Sequence, residues 1–475
     1  MARRKIKFGT DGWRAVIADD YTFENVRYCA QGWADYLKAH SLAQRGVVVG
    51  YDMRFESEDF AAAAAEVLAG NGIPAFLCNR AQPIPVISFG IITRKAAGGI
   101  TITASHNPAV YNGFKVRSDY GGAITTEVIA ALEARIDAAQ SAERADVLPK
   151  EEAIREGLIE LYDPAPAYVE HLSTLVDVGP IKRAGLKVVV DAMYGAGIGW
   201  FPRMIGGGAT QVVEIADERN PLFPGIAPEP IPRNLQPLFE TVRREAPSVG
   251  LATDGDADRL GVCDEHGQYV DQLRVYSLLV LYLLEVRGWR GPIVKTVTTS
   301  SMLDKLGALY GVPVYETGVG FKFVAPKMVE TNALVGGEES GGYAFRNHIP
   351  ERDGILAGLF ILDLMVKTGK TPSQLVDYLF SKVGPHYYDR LDIHFAPEER
   401  ENILRRLETE HPPRIAGLAV ERENRADGYK YMLEGGSWLL IRFSGTEPIM
   451  RIYTETTSPE RVQQILAAGR ELAGA

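Results

Sequence analysis

Cysteine is scarce in this chain: there are three in 475 residues, Cys29, Cys78 and Cys263, far apart and with no Cys-x-x-Cys spacing. That excludes a disulfide framework and a thiolate zinc site, and the apolar neighbourhood of each one reads as a buried thiol in a reducing compartment. A basic surplus is lacking too. The net charge of −10 argues against a protein that grips a nucleic-acid backbone, so any anionic ligand needs a locally basic pocket. Long apolar runs are also missing: the longest, 276–284 and 355–366, fall short of a bilayer span, and Asp363 interrupts the second. No apolar run of signal-peptide length follows the basic opening Met1-Ala-Arg-Arg-Lys-Ile-Lys7, which reads as a solvated first strand. The expected location is the cytoplasm.

What is present describes an ordinary globular protein, with 46% hydrophobic and 24% charged residues, and the length predicts three or four domains. Residues 22–39 carry Phe23, Val26, Ala30, Trp33 and Leu37 at helical spacing behind a capping Thr22. The run Gly46-Val-Val-Val-Gly-Tyr-Asp52 is a buried strand, followed by an alanine-rich helix from Glu58 to Gly70. The same unit reopens at Leu186-Lys-Val-Val-Val-Asp191 and at Pro292-Ile-Val-Lys-Thr-Val297. These strands are continuous apolar runs, as expected where helices cover both faces of a mixed or parallel sheet. Three similar α/β domains follow, over 1–155, 156–266 and 267–385, with a polar linker in 139–158 and a long apolar helix from Val270. From His386 the pattern becomes strand, helix, strands and a last helix capped by Ser458 with Pro459 at its first position, a smaller α+β domain over 386–475.

Chemistry concentrates in a few loops. Thr103-Ala-Ser-His-Asn-Pro108 follows a small apolar strand, and its Asn-Pro turn presents Ser105 on a tight loop. A serine hydroxyl needs a base, a metal or a phosphate to react, so the segment alone reads equally as a capped turn. Asp254-Gly-Asp-Ala-Asp-Arg259 spaces carboxylates at alternate positions, which in extended chain points all three to one side. Such a cluster is costly without a cation, and magnesium, which favours few carboxylates plus a phosphate oxygen, fits better than an EF-hand calcium site. The EF-hand places are filled at Asp254, Asp256, Asp258 and Glu265, but Arg259 stands where that loop needs glycine. Arg442-Phe-Ser-Gly-Thr-Glu-Pro-Ile-Met-Arg451 has the guanidinium, hydroxyls and glycine that wrap a phosphate. Gly336-Gly-Glu-Glu-Ser-Gly-Gly342 suits sugar hydroxyls, a solvated turn or a second metal site. Gly195-Ala-Gly-Ile-Gly199 lacks the third glycine of a dinucleotide loop and reads as a turn.

Together, Phe8-Gly-Thr-Asp-Gly-Trp-Arg14, the serine loop, the aspartate loop, Glu338-Glu-Ser340 and the Arg442 to Arg451 loop resemble, in order, the signatures of the α-D-phosphohexomutase family. The resemblance implies four domains around a central cleft, each giving one loop to it. It makes Ser105 the catalytic phosphoserine, with Asp254, Asp256 and Asp258 as Mg2+ ligands beside it. It gives Arg14 and Lys115 acid–base and charge-stabilising work, with His106 next to the serine. Glu338 and Ser340 become sugar contacts, and Arg442, Ser444, Gly445 and Thr446, supported by Arg451, the holder of the non-reacting phosphate. Thr10, Arg259, Lys295 and Gly320 complete the substrate-binding set. The implied activity moves phosphate between the two ends of a hexose monophosphate, with glucose 1,6-bisphosphate as intermediate and activator and a monomer or homodimer as the working unit. The segment Thr317-Gly-Val-Gly-Phe-Lys322 is similar to glucose-preferring branches, and Gly342 stands where mannose- and glucosamine-acting members tend to carry histidine. Glucose phosphate is therefore the expected substrate. Mannose or glucosamine phosphate, and a synthase that releases the bisphosphate, are the alternatives.

Overall fold

The computed structural model describes residues 4–9, 11–443 and 449–474. Four sheets succeed one another along the chain. In the first, the strands run in the order Trp13–Val16, Tyr111–Arg117, Gly99–Ile102, Val47–Tyr51, Ala75–Cys78, Ile159–Tyr162. The last four of these are parallel, and the first two are antiparallel additions at one edge. The second sheet is built on the parallel strands Lys187–Asp191, Gln211–Ile215 and Val249–Thr253, with Leu260–Cys263 and Tyr269–Val270 added antiparallel. The third pairs Ile293–Thr296 in parallel with Val314–Thr317 and Val335–Gly337, and Tyr343–Phe345 closes it antiparallel. The fourth, from Tyr387–His394 to Arg414–Ile415, is antiparallel throughout and carries the terminal helix Pro459–Ala473. The protein is thus three α/β units with mixed sheets followed by an α+β unit.

The apolar strands are covered as their sequences require: Val47, Val48, Val49, Val188, Val189 and Val190 are fully buried. Thr22 accepts the Asn25 amide and Ser458 the Arg461 amide, caps worth about 1 kcal/mol each. Residues 4–7 of the basic opening form no strand. Lys5 and Lys7 pair with Asp137 and Glu133 on the helix Thr126–Ser141, and the first strand is Trp13–Val16, whose residues pair with Tyr111 to Phe114. Ile159–Tyr162 lies beyond residue 155 yet edges the first sheet, and Tyr269–Val270 lies beyond 266 yet edges the second. Both are short edge strands in polar surroundings, so their sequences carry little strand signal. Among the described residues no helix is long and apolar enough to cross a membrane.

Candidate active site

The strand Gly99–Ile102 ends in the serine loop, where Ser105 is 2% exposed and takes a left-handed φ of 50°. A non-glycine residue there costs roughly 1–2 kcal/mol, so the surroundings must impose it. They do so through Arg54, fully buried, which donates to the carbonyls of Ser105 and Asn107 (2.6 Å each), Pro108 (3.0 Å) and Tyr111 (3.1 Å). Its Nε lies 3.3 Å from Asp52. Asp52 also accepts the Thr103 hydroxyl at 2.6 Å, and Thr103 Oγ1 in turn accepts the Ser105 amide at 2.8 Å. The loop after one strand therefore holds the loop after its neighbour, at the carboxyl ends of the parallel strands where α/β sheets place ligands.

Ser105 Oγ donates to Asp254 Oδ2 at 2.9 Å and lies 3.2 Å from His106 Nδ1. The aspartate loop reaches it because residue 255 has no side chain: a β-carbon there would sit 2.4 Å from the Ser105 carbonyl oxygen. Asp254, Asp256 and Asp258 are fully buried, and one oxygen from each lies within 4.8 Å of the others. The loop is a turn with Ala257 at φ 55°, not the extended chain that alternate spacing suggests; Asp254 Oδ1 closes it by accepting the amides of Asp258 and Arg259.

Burial and the neighbouring Asp256 and Asp258 charges push Asp254 well above the usual carboxylate range. Burial also lifts Asp258 to about 6, even though Arg352 pairs with it. For Asp256 burial is overcome by Lys115 at 3.1 Å, by Asp254 and by Arg352, and the net shift is downward. Asp256 Oδ1 and Asp258 Oδ1 are buried without a hydrogen-bond partner. Hard carboxylate oxygens, crowded and unsatisfied, fit a divalent cation.

Cations from several segments surround the trio. Lys115, fully buried, bridges Asp256 and Asp11, the latter at 2.7 Å. Arg14 donates to Asn107 at 2.5 Å, and Arg259 reaches Asp254 and Asp258 at 3.9 Å and Glu229 at 3.4 Å. Two residues not anticipated from sequence organise these charges. Asp11 pairs with Lys115, Arg117 (2.8 Å) and Arg352 (3.1 Å), which outweigh its burial and hold its carboxyl well below the usual range. Arg352 joins Asp258 at 2.7 Å to Asp11 and, at 3.7 Å, to Glu338. The charged run Glu351-Arg352-Asp353 ahead of the apolar helix Gly354–Thr368 is the signal that could have found it. Half-buried His106 is held well below its ordinary pKa by burial and by Arg259, Arg14, Lys115 and Arg54.

Glu338 accepts the Gly320 amide at 3.0 Å, and the Ser340 hydroxyl is buried without a partner. Beside Gly320, the Val319 amide donates to Asp427 at 2.7 Å; Asp427 also takes Arg442 Nε at 3.0 Å. Arg442 faces Arg451 across the last hairpin. One chain of contacts thus runs from the acidic trio through Arg352, Glu338, Gly320 and Asp427 to Arg442, and it draws expected residues from all four units into one neighbourhood. Lys295 does not join it: its ammonium is taken up by Asp304 and the Ser300 carbonyl. Thr10, Ser444, Gly445 and Thr446 lie outside the described residues.

Four successive α/β and α+β units, meeting at a serine set against a cation-competent aspartate trio, define a multidomain enzyme of phosphoryl chemistry. The chain belongs to the phosphoglucomutase/phosphomannomutase family, the α-D-phosphohexomutases: models of its α/β/α domains I, II and III match residues 5–143, 166–267 and 272–383, and that of its C-terminal domain matches 404–472. It is 32% identical to a Thermococcus kodakarensis phosphoglucomutase/phosphomannomutase over 98% of each chain. It is 30% identical to a Methanothermobacter thermautotrophicus protein designated probable phosphoglucosamine mutase, over 96% of this chain and 95% of that one. Among solved structures, a Thermus thermophilus protein described provisionally as a phosphomannomutase superposes over all of both chains with a TM-score of 0.86 at 35% identity.

Proposed function

We propose that the protein is a phosphoglucomutase, interconverting glucose 1-phosphate and glucose 6-phosphate through phosphorylated Ser105 and glucose 1,6-bisphosphate, in the cytoplasm where its buried cysteines stay reduced. The observation that carries this reading is the Ser105 hydroxyl 2.9 Å from Asp254, inside a carboxylate trio with unsatisfied oxygens. Asp254, Asp256, Asp258 and an oxygen on Ser105 would hold Mg2+, which when bound supplies charge stabilisation to a transferring phosphoryl group. The residues do the rest. As the bond from Ser105 Oγ to phosphorus breaks, one forms from phosphorus to the sugar hydroxyl, and the hydroxyl's proton ends on Oγ. His106, neutral and 3.2 Å from Oγ, is placed to relay it, taking a proton at one ring nitrogen as it gives one to Oγ from the other. Arg14, Lys115 and Arg259 offset the charge on the phosphoryl oxygens. Glu338 and the unpartnered Ser340 contact sugar hydroxyls, with Gly320 and Thr10 alongside. Arg442, Ser444, Gly445 and Thr446, backed by Arg451, hold the far phosphate. Lys295 is left out of the set because its charge is spent on Asp304.

Position 342 supports glucose over the alternatives. A side chain there would meet Arg352 Cδ at 2.3 Å, so the arginine stem takes the space a histidine would need. Relatives designated phosphoglucosamine mutase favour glucosamine phosphate as the second reading. Steady-state kcat/KM on the 1-phosphates of glucose, mannose and glucosamine decides between them. The glucose ester is expected to lead, and a lead for the glucosamine ester would replace this reading with the second.

A further inference from the structure

Away from the serine and the acidic trio, a cavity of about 560 Å3 opens between the first and second sheets. Its floor is the carboxyl ends of Val47–Tyr51 and Ala75–Cys78, and its far wall is the turn after Lys187–Asp191 with the helix Trp200–Ile205. That volume suits a small metabolite. In a chain of net charge −10 its lining is basic: Arg80, Arg203 and Arg219 against the single carboxylate Glu58.

The donors there are unevenly satisfied. Arg219 is paired with Glu58 at 2.6 and 2.8 Å, and Arg80 with Asp163 at 3.3 Å. Arg203 rests its guanidinium 5.3 Å over Trp200 and makes no ion pair among the described residues. The Tyr51 hydroxyl and the Asn79 side-chain amide likewise have no hydrogen-bond partner among the described residues, although both line the cavity. Arg80, Arg203, Arg219 and Asn79 are exposed and Tyr51 is half-buried, so these donors face solvent, and three guanidinium forks around one hollow of an acidic chain match phosphate oxygens. We propose that this cavity is a second anion site, separate from the catalytic cluster, that binds a phosphate group through Arg203 and Arg219, with Tyr51 and Asn79 beside them.

The site is wired to both catalytic loops. Arg219 donates to the Arg54 carbonyl at 3.3 Å, and Arg54 clamps the serine loop. The Ala196 amide donates to the Gly255 carbonyl at 2.9 Å, within the aspartate loop. An anion drawing Arg219 away from Glu58 changes the hold on Ser105, so occupancy modulates turnover. This modulation rests on the phosphoserine reading of Ser105, whereas binding itself does not.

Calorimetric titration of the full chain with inorganic phosphate, and separately with glucose 6-phosphate, tests the binding, comparing wild type with Arg203→Ala and Arg203→Lys. The expected result is two classes of site in the wild type, one of them weakened about tenfold or more in R203A and partly restored in R203K. Phosphate is then also expected to change kcat at saturating sugar phosphate in the wild type and not in R203A. Occupancy by inorganic phosphate identifies the free anion as sufficient, and occupancy by the ester alone identifies a sugar phosphate; either supports the site. Identical stoichiometry and affinity for both probes in wild type and R203A would overturn it. A failure confined to the kcat arm would remove the modulation and leave the binding site standing.

Discussion

Replacing Arg54 with alanine removes five interactions from a residue with no solvent exposure: hydrogen bonds to the carbonyls of Ser105, Asn107, Pro108 and Tyr111, and the ion pair with Asp52. Asp52 is then a buried carboxylate without its cation, and burial already raises its pKa with Arg54 in place. Breaking a buried pair from one side costs about 3–5 kcal/mol, a large part of a typical unit's roughly 5–15 kcal/mol. The released loop also loses what holds Ser105 at φ 50°, and a displacement of about 1 Å at a reacting group costs on the order of 100-fold in rate. The expectation is a lowered melting transition together with kcat down about 100-fold and KM for glucose 1-phosphate nearly unchanged. Arg54→Lys restores the charge beside Asp52 but not the planar fork, so stability recovers more than kcat. A coupled mutase assay with thermal melting of the three proteins measures both. R54A turning over within about threefold of wild type would refute the argument from misplacement.

Gly255→Ala places a methyl 2.4 Å from the Ser105 carbonyl, and the serine loop must retreat from the aspartates; kcat is expected to fall on the order of 100-fold at a stability cost of about 1–3 kcal/mol, read by kinetics and melting. Asp191→Asn tests a buried carboxyl raised from 3.8 to about 6 by burial. Because its folded pKa lies above its unfolded one, the wild type loses stability as pH rises through that window and levels off above it. The variant should lack this loss and gain up to about 3 kcal/mol at neutral pH, visible in melting curves from pH 4 to pH 8 (about the range spanning both values). Asp427→Ala frees Arg442 Nε and the Val319 amide, and KM for sugar phosphates should rise while kcat changes less.

The sequence carried the elements whose signals are local. The apolar runs at Val47–Tyr51 and Lys187–Asp191, the caps Thr22 and Ser458 and the order of strands and helix in the last unit need only nearest neighbours to be read. The serine and the acidic trio were legible as motifs because short loops between strand ends keep their chemistry contiguous. Arg54, Asp11 and Arg352 were not, because an arginine among charged neighbours reads as surface until the fold brings carbonyls 51 to 57 residues away, or an acid 341 residues away, onto it. The aspartate loop's geometry departs from its spacing for a related reason: alternate spacing implies one face only in extended chain, and Ala257 turns the backbone left-handed. Lys295 shows the converse, a cation in a plausible place whose partner, Asp304, lies on the following helix.

The central claim is a phosphoryl group carried on Ser105 and passed to and from the sugar. Intact and peptide mass of the purified chain, before and after incubation with glucose 1,6-bisphosphate and Mg2+, tests it most directly. The account predicts one phosphoryl increment, located on the peptide containing Ser105 and absent from the Ser105→Ala chain, and its removal on incubation with glucose 1-phosphate. A chain that interconverts the sugar phosphates while Ser105 stays unmodified, or that carries the phosphoryl group on another residue, would contradict it.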